Sequence, residues 1–157
     1  METVKETEGA KTDINELKDI ARRIRINLLR MLTNAGSGHT GGSLSAADIV
    51  TALYFAKMKH DPKNPKWEER DRFILSKGHA APLLYTVLAE CGYFDKSELM
   101  TLRRLSSRLQ GHPDCKALPC VEISTGSLGQ GLSIANGVAL SGKLDKALFR
   151  VYVLLGD

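Results

Sequence analysis

Arg72-Phe-Ile-Leu-Ser76, followed at once by Lys77-Gly78-His79, is a short apolar run with charge before it and a turn behind it. Such a run reads as a buried strand. The strongest strand signal is Arg150-Val-Tyr-Val-Leu-Leu155, with Gly156-Asp157 at its carboxyl end. Val121-Glu-Ile-Ser124 predicts a third, brief strand. Helical patterns surround these runs. Asp13 and Glu16 make a D-x-x-E form of the capping box. Ile14, Leu17, Ala21, Ile24, Leu28 and Met31 then recur at spacings of three and four, until Asn34 and Gly36 stop the pattern. Ser37 to Ser43 carries three glycines and is expected to be a loop. Ser43 or Ser45 is expected to cap a second helix with Ile49, Leu53 and Ala56 facing inward, ended by Asp61-Pro62 and Asn64-Pro65. Further helices are predicted from about Ala80 to Cys91, with Gly92 as stop, and over a short stretch opened by Asp95 and Glu98. Ser106 to Pro119 is turn-rich, and a last helix runs from the glycine-rich segment to about Leu144. Helices alternating with apolar strands predict an α/β fold, a parallel sheet flanked by helices. In such sheets ligands bind outside the carboxyl ends of the strands.

A length of 157 residues suits one domain, and folding should bury roughly 70% of the unfolded surface. The net charge of +4 comes from 22 basic and 18 acidic residues mixed along the chain. With aromatics at only 6%, nothing resembles the concentrated basic face that nucleic acid requires. No apolar stretch is long enough to span a membrane. Residues 1–11 are polar and mixed in charge, so they read as a disordered tail rather than a secretory or transit peptide. Three cysteines, an odd number, fit free thiols in a reducing compartment and a cytoplasmic protein.

Three of the four histidines directly follow a glycine, in Gly38-His39, Gly78-His79 and Gly111-His112. Glycine lets backbone approach a ligand closely, and imidazole exchanges protons near neutral pH. Gly126-Ser-Leu-Gly-Gln-Gly131 spells G-x-x-G-x-G, which is neither the dinucleotide fingerprint nor a Walker loop. By itself it is either a packing turn or a turn whose backbone touches a ligand. Gly78-His79, this run and Asp157 all fall at strand carboxyl ends, which argues for one shared site. Asp157 has the placing of a ligand for Mg²⁺ or Ca²⁺, or of a helix cap or surface turn. His112 with Cys115 and Cys120 offers an incomplete zinc pattern, and free thiols are the simpler reading. His60, in a lysine-rich segment, is expected to be exposed.

Five ordered motifs carry a family resemblance: Ser37-Gly-His-Thr-Gly-Gly-Ser-Leu-Ser45, Asp71-Arg-Phe-Ile-Leu-Ser-Lys-Gly-His-Ala80, Gly111-His-Pro113, Ser124-Thr-Gly-Ser-Leu-Gly-Gln-Gly-Leu132 and Leu154-Leu-Gly-Asp157. In order and spacing they resemble the opening half of transketolase, over nearly everything from about Ile14 onward. Deoxyxylulose-phosphate synthase is similar in the first motif and the glycine-rich turn, but its counterpart of Ser76 to His79 reads differently. The resemblance implies a thiamine diphosphate-binding fold, with residues 12–157 as a partial diphosphate-binding domain, truncated at its C-terminal side.

It further implies ketol transfer, in which a two-carbon unit passes from a ketose phosphate to an aldose phosphate. His79 would stand by the cofactor diphosphate and the donor sugar, with His39 and His112 on the donor's hydroxyls. Gly126 would offer its backbone to the aminopyrimidine, and Leu128 would prop the cofactor in its bent form. Ser127 and Gly156 belong to the same cofactor-contacting motifs, and Asp157 would bind Mg²⁺ or Ca²⁺. Thr40 and Ser127 stand where the pattern often has proline, and both suit turns. The family's metal-binding asparagine and its pyrimidine-binding domain, with the activating glutamate, are not found in these residues. A C-terminal transketolase subunit or segment is therefore the expected partner, in a homo- or hetero-oligomer, because some transketolases are split over two polypeptides. The competing readings are an inactive or partner-binding fragment, and a metal hydrolase built on the three glycine-flanked histidines.

Overall fold

α1 (Ile14–Ala35) opens the computed structural model, which describes residues 13–156. The polar tail expected over 1–11 and the terminal Asp157 lie outside the described residues. Ile20, Ala21, Ile24, Leu28, Met31 and Leu32 form its buried stripe, which starts later than expected because Ile14 is 60% exposed. Asp13 occupies the N-cap position but its side chain makes no capping hydrogen bond, so the D-x-x-E pair marks the start without closing a box. Gly36 ends the helix in a left-handed conformation, its N–H reaching the carbonyls of Leu32 and Thr33.

The next segment departs from the sequence-based expectation. Part of the supposed loop is helical, as α2 (Thr40–Leu44), and α3 (Ala47–Ala52) begins after Ala46 with neither Ser43 nor Ser45 as its cap. α3 runs on through a wider π turn (Leu53–Lys57) and buries Ala47, Val50, Thr51 and Tyr54. Ile49 is 54% exposed, Ala56 is exposed and Leu53 is only half-buried. Thr51 explains the error in phase. Its hydroxyl donates to the Ala47 carbonyl at 2.7 Å, which satisfies the polar group locally and lets the residue sit inside.

β1 (Arg72–Leu75) pairs in parallel with β2 (Val151–Leu154), from Arg72 opposite Val151 to Leu75 opposite Leu154. The buried Asp71 carboxylate pins the start of the pair, accepting from the backbone N–H groups of Lys59 (2.9 Å) and Arg150 (2.7 Å). The third strand expected at Val121 to Ser124 does not form. Side chains hold this segment instead: Thr125 Oγ1 donates to the Leu75 carbonyl (2.7 Å), and Glu122 ion-pairs with Arg70 (2.7 Å) and Arg72 (3.7 Å).

After β1 a single 3₁₀ turn (Gly78–Ala80) leads into α4 (Ala81–Cys91), whose residues from Ala81 to Ala89 are all buried. A helix apolar on every side belongs at the centre of a fold. It packs against α1, α2 and α3, and Gly92 stops it in a left-handed conformation. Asp95 caps the following 3₁₀ turn (Lys96–Thr101) by accepting from Ser97 N at 2.7 Å. Ser106 to Pro119 is irregular as expected, and α5 (Gln130–Leu144) returns the chain to β2. No described helix is long and apolar enough to cross a membrane.

Candidate functional site

The cleft is built around the turn that leaves β1. A Cβ on Gly78 would stand 2.5 Å from the Thr125 carbonyl oxygen and 2.8 Å from Gly126 N. Only glycine lets this turn lie directly on the start of the glycine-rich run. Gly131 does the same as the second residue of α5, where a Cβ would fall 2.6 Å from the Ser76 side chain. These two close approaches fix the amino end of α5 against the carboxyl end of β1.

The imidazoles arrive from three separate loops. His79 follows β1, and His39 precedes α2, with ring centroids 4.8 Å apart and planes tilted by 57°. His112 comes from the irregular segment, whose position is set by Tyr85 in α4. The buried Tyr85 hydroxyl donates to the His112 carbonyl at 2.9 Å. Burial pushes the Tyr85 phenol well above its ordinary pKa, so it remains a donor at every relevant pH. A Cβ on Gly126 would lie 3.3 Å from His112 Cδ2, so glycine leaves that ring its space.

Together these loops enclose an open cavity of about 680 Å³, lined by His39, His79, His112, Gly126 and Leu128. Leu128 is 52% exposed and turns an apolar surface to the cavity. Of the other residues singled out from sequence, Ser127 is exposed within the same turn without lining the cavity, and Gly156 lies just beyond β2 at φ 129°. Asp157 lies outside the described residues.

Several residues escaped the sequence reading. Thr40, Gly41 and Gly42 also line the cavity, through the unexpected α2. Lys77 is 4% exposed, an unusual burial for a cation. Its Nζ donates to Ser45 Oγ at 3.3 Å, and Ser45 in turn donates to the Gly42 carbonyl at 3.1 Å. A Cβ on Gly156 would sit 3.7 Å from the same Nζ. Its place between a strand and a Gly-His pair was the available signal.

The metal alternatives do not assemble. Among the described residues no group of three His, Cys, Asp or Glu is arranged to hold an ion, which removes the zinc pattern of His112, Cys115 and Cys120. Cys115 Sγ instead accepts from Ser124 Oγ at 3.4 Å, while Cys120 lines a separate small pocket near Tyr54 and His60. All three cysteines are free, and burial pushes the Cys91 thiol up to about 12 and the Cys120 thiol up to about 11. His60 is half-buried rather than exposed. Its Nε2 donates to the Tyr54 carbonyl (2.7 Å), and Nδ1 accepts from the Tyr93 hydroxyl (3.0 Å). It is a structural histidine.

Comparison with known proteins agrees with this geometry. The family described as transketolase, thiamine diphosphate binding domain, matches residues 16–152. Transketolase of Pongo abelii is 50% identical over 145 residues, covering 92% of this chain and 23% of that protein. The 6-deoxy-6-sulfo-D-fructose transketolase subunit of Clostridium sp. (strain MSTE9) is 45% identical over 142 residues, covering 90% of this chain and 52% of the subunit. The crystal structure of Pichia stipitis transketolase in complex with sedoheptulose-7-phosphate superposes with a TM-score of 0.82 at 37% identity, covering 90% of this chain and 22% of that one. The chain thus spans about a quarter of the length of the full transketolases it matches. On a family match that takes in β1, the start of β2 and the whole cleft, the chain belongs to the transketolase family and carries its thiamine diphosphate-binding domain.

Proposed function

We infer that this chain is the part of a transketolase that holds thiamine diphosphate and the donor sugar phosphate, and that ketol transfer requires a further segment or second chain. The observation that carries this reading is the convergence of His39, His79 and His112, from three separate loops, on one cavity at the carboxyl end of β1. The Clostridium relative is by name a subunit, which supports a division of the enzyme over two chains. The Pichia stipitis structure is of a complex with a sugar phosphate, which supports that class of substrate. The three free thiols fit a cytoplasmic setting.

The residues present suit the cofactor. Gly126, without a side chain, offers backbone to a flat ring, and Leu128 offers an apolar face beside it. The cavity of about 680 Å³ lies in the size range of small-molecule sites. When bound, thiamine diphosphate supplies the carbanion sink needed to cleave a carbon–carbon bond beside a hydroxyl. In this reading His79, at the turn after β1, binds the diphosphate end and the donor. His39 and His112 take and return hydroxyl protons in the same reading, work for which imidazole is suited near neutral pH. The Lys77 ammonium adds fixed positive charge at the carboxyl ends of both strands, where an anionic group would otherwise be costly to bury. Asp157, with Gly156 before it, is assigned the Mg²⁺ or Ca²⁺ ion from its motif alone.

Calorimetric titration with thiamine diphosphate and Mg²⁺, with and without the C-terminal remainder of a related transketolase, tests this reading. Binding should appear in the mixture, together with transfer of a two-carbon unit from a ketose phosphate. His79→Ala should weaken that binding by about tenfold or more, the loss of one charge-assisted hydrogen bond. Ketol transfer by the chain alone, or no binding in either arm, overturns it.

A further inference from the structure

We propose that Arg103 is a positioning residue, a strut that sets the spacing of His39 and His112 across the cleft. Its backbone is left-handed, at φ 60°, a conformation that residues with a Cβ adopt rarely. Two contacts hold it there. Its neighbour Leu102 is buried at 1% exposure, and its own N–H donates to the Leu109 carbonyl at 2.8 Å. This closes a tight loop in which Ser106 is also left-handed, at φ 66°.

The consequence is where the guanidinium goes. Nη1 donates to Ser37 Oγ at 3.1 Å, two residues before His39. Nη2 and Nε lie 3.2 and 3.3 Å from the point where a Cβ on Gly111 would stand, so the group rests on the glycine just before His112. One planar group therefore touches both the loop that brings His39 to the cavity and the loop that brings His112. Among the described residues Arg103 forms no ion pair. Gly111 thereby acquires a reason to be glycine that is separate from any ligand. A lysine could keep the bond to Ser37 but lacks the flat fork that also lies on Gly111.

The functional meaning of this strut rests on the reading that His39 and His112 serve one substrate, but the strut itself is testable without cofactor. The experiment records the imidazole resonances of the 157-residue chain by ¹H–¹³C NMR, with a thermal melt alongside, for R103A, R103K and S37A. In R103A the His39 and His112 signals should shift and broaden as their loops gain microsecond-to-millisecond motion. The His60 signals, held by Tyr54 and Tyr93, should stay in place. S37A should move His39 and leave His112, and R103K should leave His112 displaced. Unchanged His39 and His112 in a folded R103A overturn the proposal, as does movement of His60 in step with them, or full restoration by R103K. If R103A does not fold, an unchanged His39 in S37A overturns it. Failure of thiamine diphosphate to bind would sink the functional reading and leave this result standing.

Discussion

A hydrogen atom at Gly78, where other residues carry carbon, is what lets the turn after β1 rest on the backbone of Thr125 and Gly126. Those neighbours are main-chain atoms at 2.5 to 2.8 Å and cannot swing aside as a side chain would. Gly78→Ala is therefore expected to destabilise by about 1–3 kcal/mol, the usual cost of overpacking. Gly41 gives the contrast, since a Cβ there meets nothing within 4 Å and the residue already lies in α2. Gly41→Ala should be neutral or stabilising by up to about 1 kcal/mol. Thermal melts of the two variants decide the matter, and equal midpoints would contradict it. At this scale the Gly-His pairs were legible because each joins a flexible residue to a proton-exchanging one at the edge of an apolar run. Arg103 and Tyr85 were not. Arg103 meets Ser37 across 66 positions of chain, and no local pattern announces such a contact.

Elements were legible where one face is long and uniform. α1 repeats its apolar residues over six turns and is closed by a glycine, so its bounds follow from spacing alone. α3 is too short for such averaging, and a threonine whose hydroxyl is satisfied within the helix shifts its buried face. The two faces can be told apart by mutation. Val50→Ala removes two methyl groups from a site 1% exposed and should cost about 2 kcal/mol. Ile49→Ala, at a site 54% exposed, should change stability by no more than about 0.5 kcal/mol. Denaturant titration at matched slopes checks both, and a larger loss at Ile49 would restore the original phasing. The missing strand at Val121 to Ser124 has a similar origin. A four-residue run of alternating apolar and polar residues carries no information about whether β1 will offer it a ladder or a side-chain hydrogen bond, and here Thr125 supplies the latter.

Across the whole molecule, Glu90 joins three elements. Its carboxylate, 5% exposed, pairs with Arg23 of α1 and Lys96 of the 3₁₀ turn, each at 2.7 Å, from its own place in α4. Burial alone would push the Glu90 carboxyl up, but its bonds to Lys96 and Arg23 outweigh that and hold it below its ordinary value of 4.5. A carboxyl depressed in the folded state contributes stability that is present above the unfolded pKa and lost as pH falls through the folded one. Glu90→Gln should therefore cost about 1–2 kcal/mol at neutral pH, moderated by the exposure of both cations, and the deficit should shrink below about pH 4.5. Unfolding measured from pH 7 to 3 checks this, and a deficit independent of pH would refute it. The cleft was legible at this scale only as a shared address, the carboxyl ends of strands. Its shape comes from loops held in place by the Tyr85 bond to His112 and by the close approach of Gly78 to Thr125 and Gly126. The parallel pairing of β1 and β2 has a kinetic corollary. Asp71 and Arg150 clasp across a sequence separation of 79, with α4, the irregular segment and α5 between them. Closing so long a loop is slow, whereas α1 and α4 can find each other earlier through nearer neighbours. The helical half should thus mature first on refolding, and the cleft at the strand ends should be the last territory to acquire its native shape.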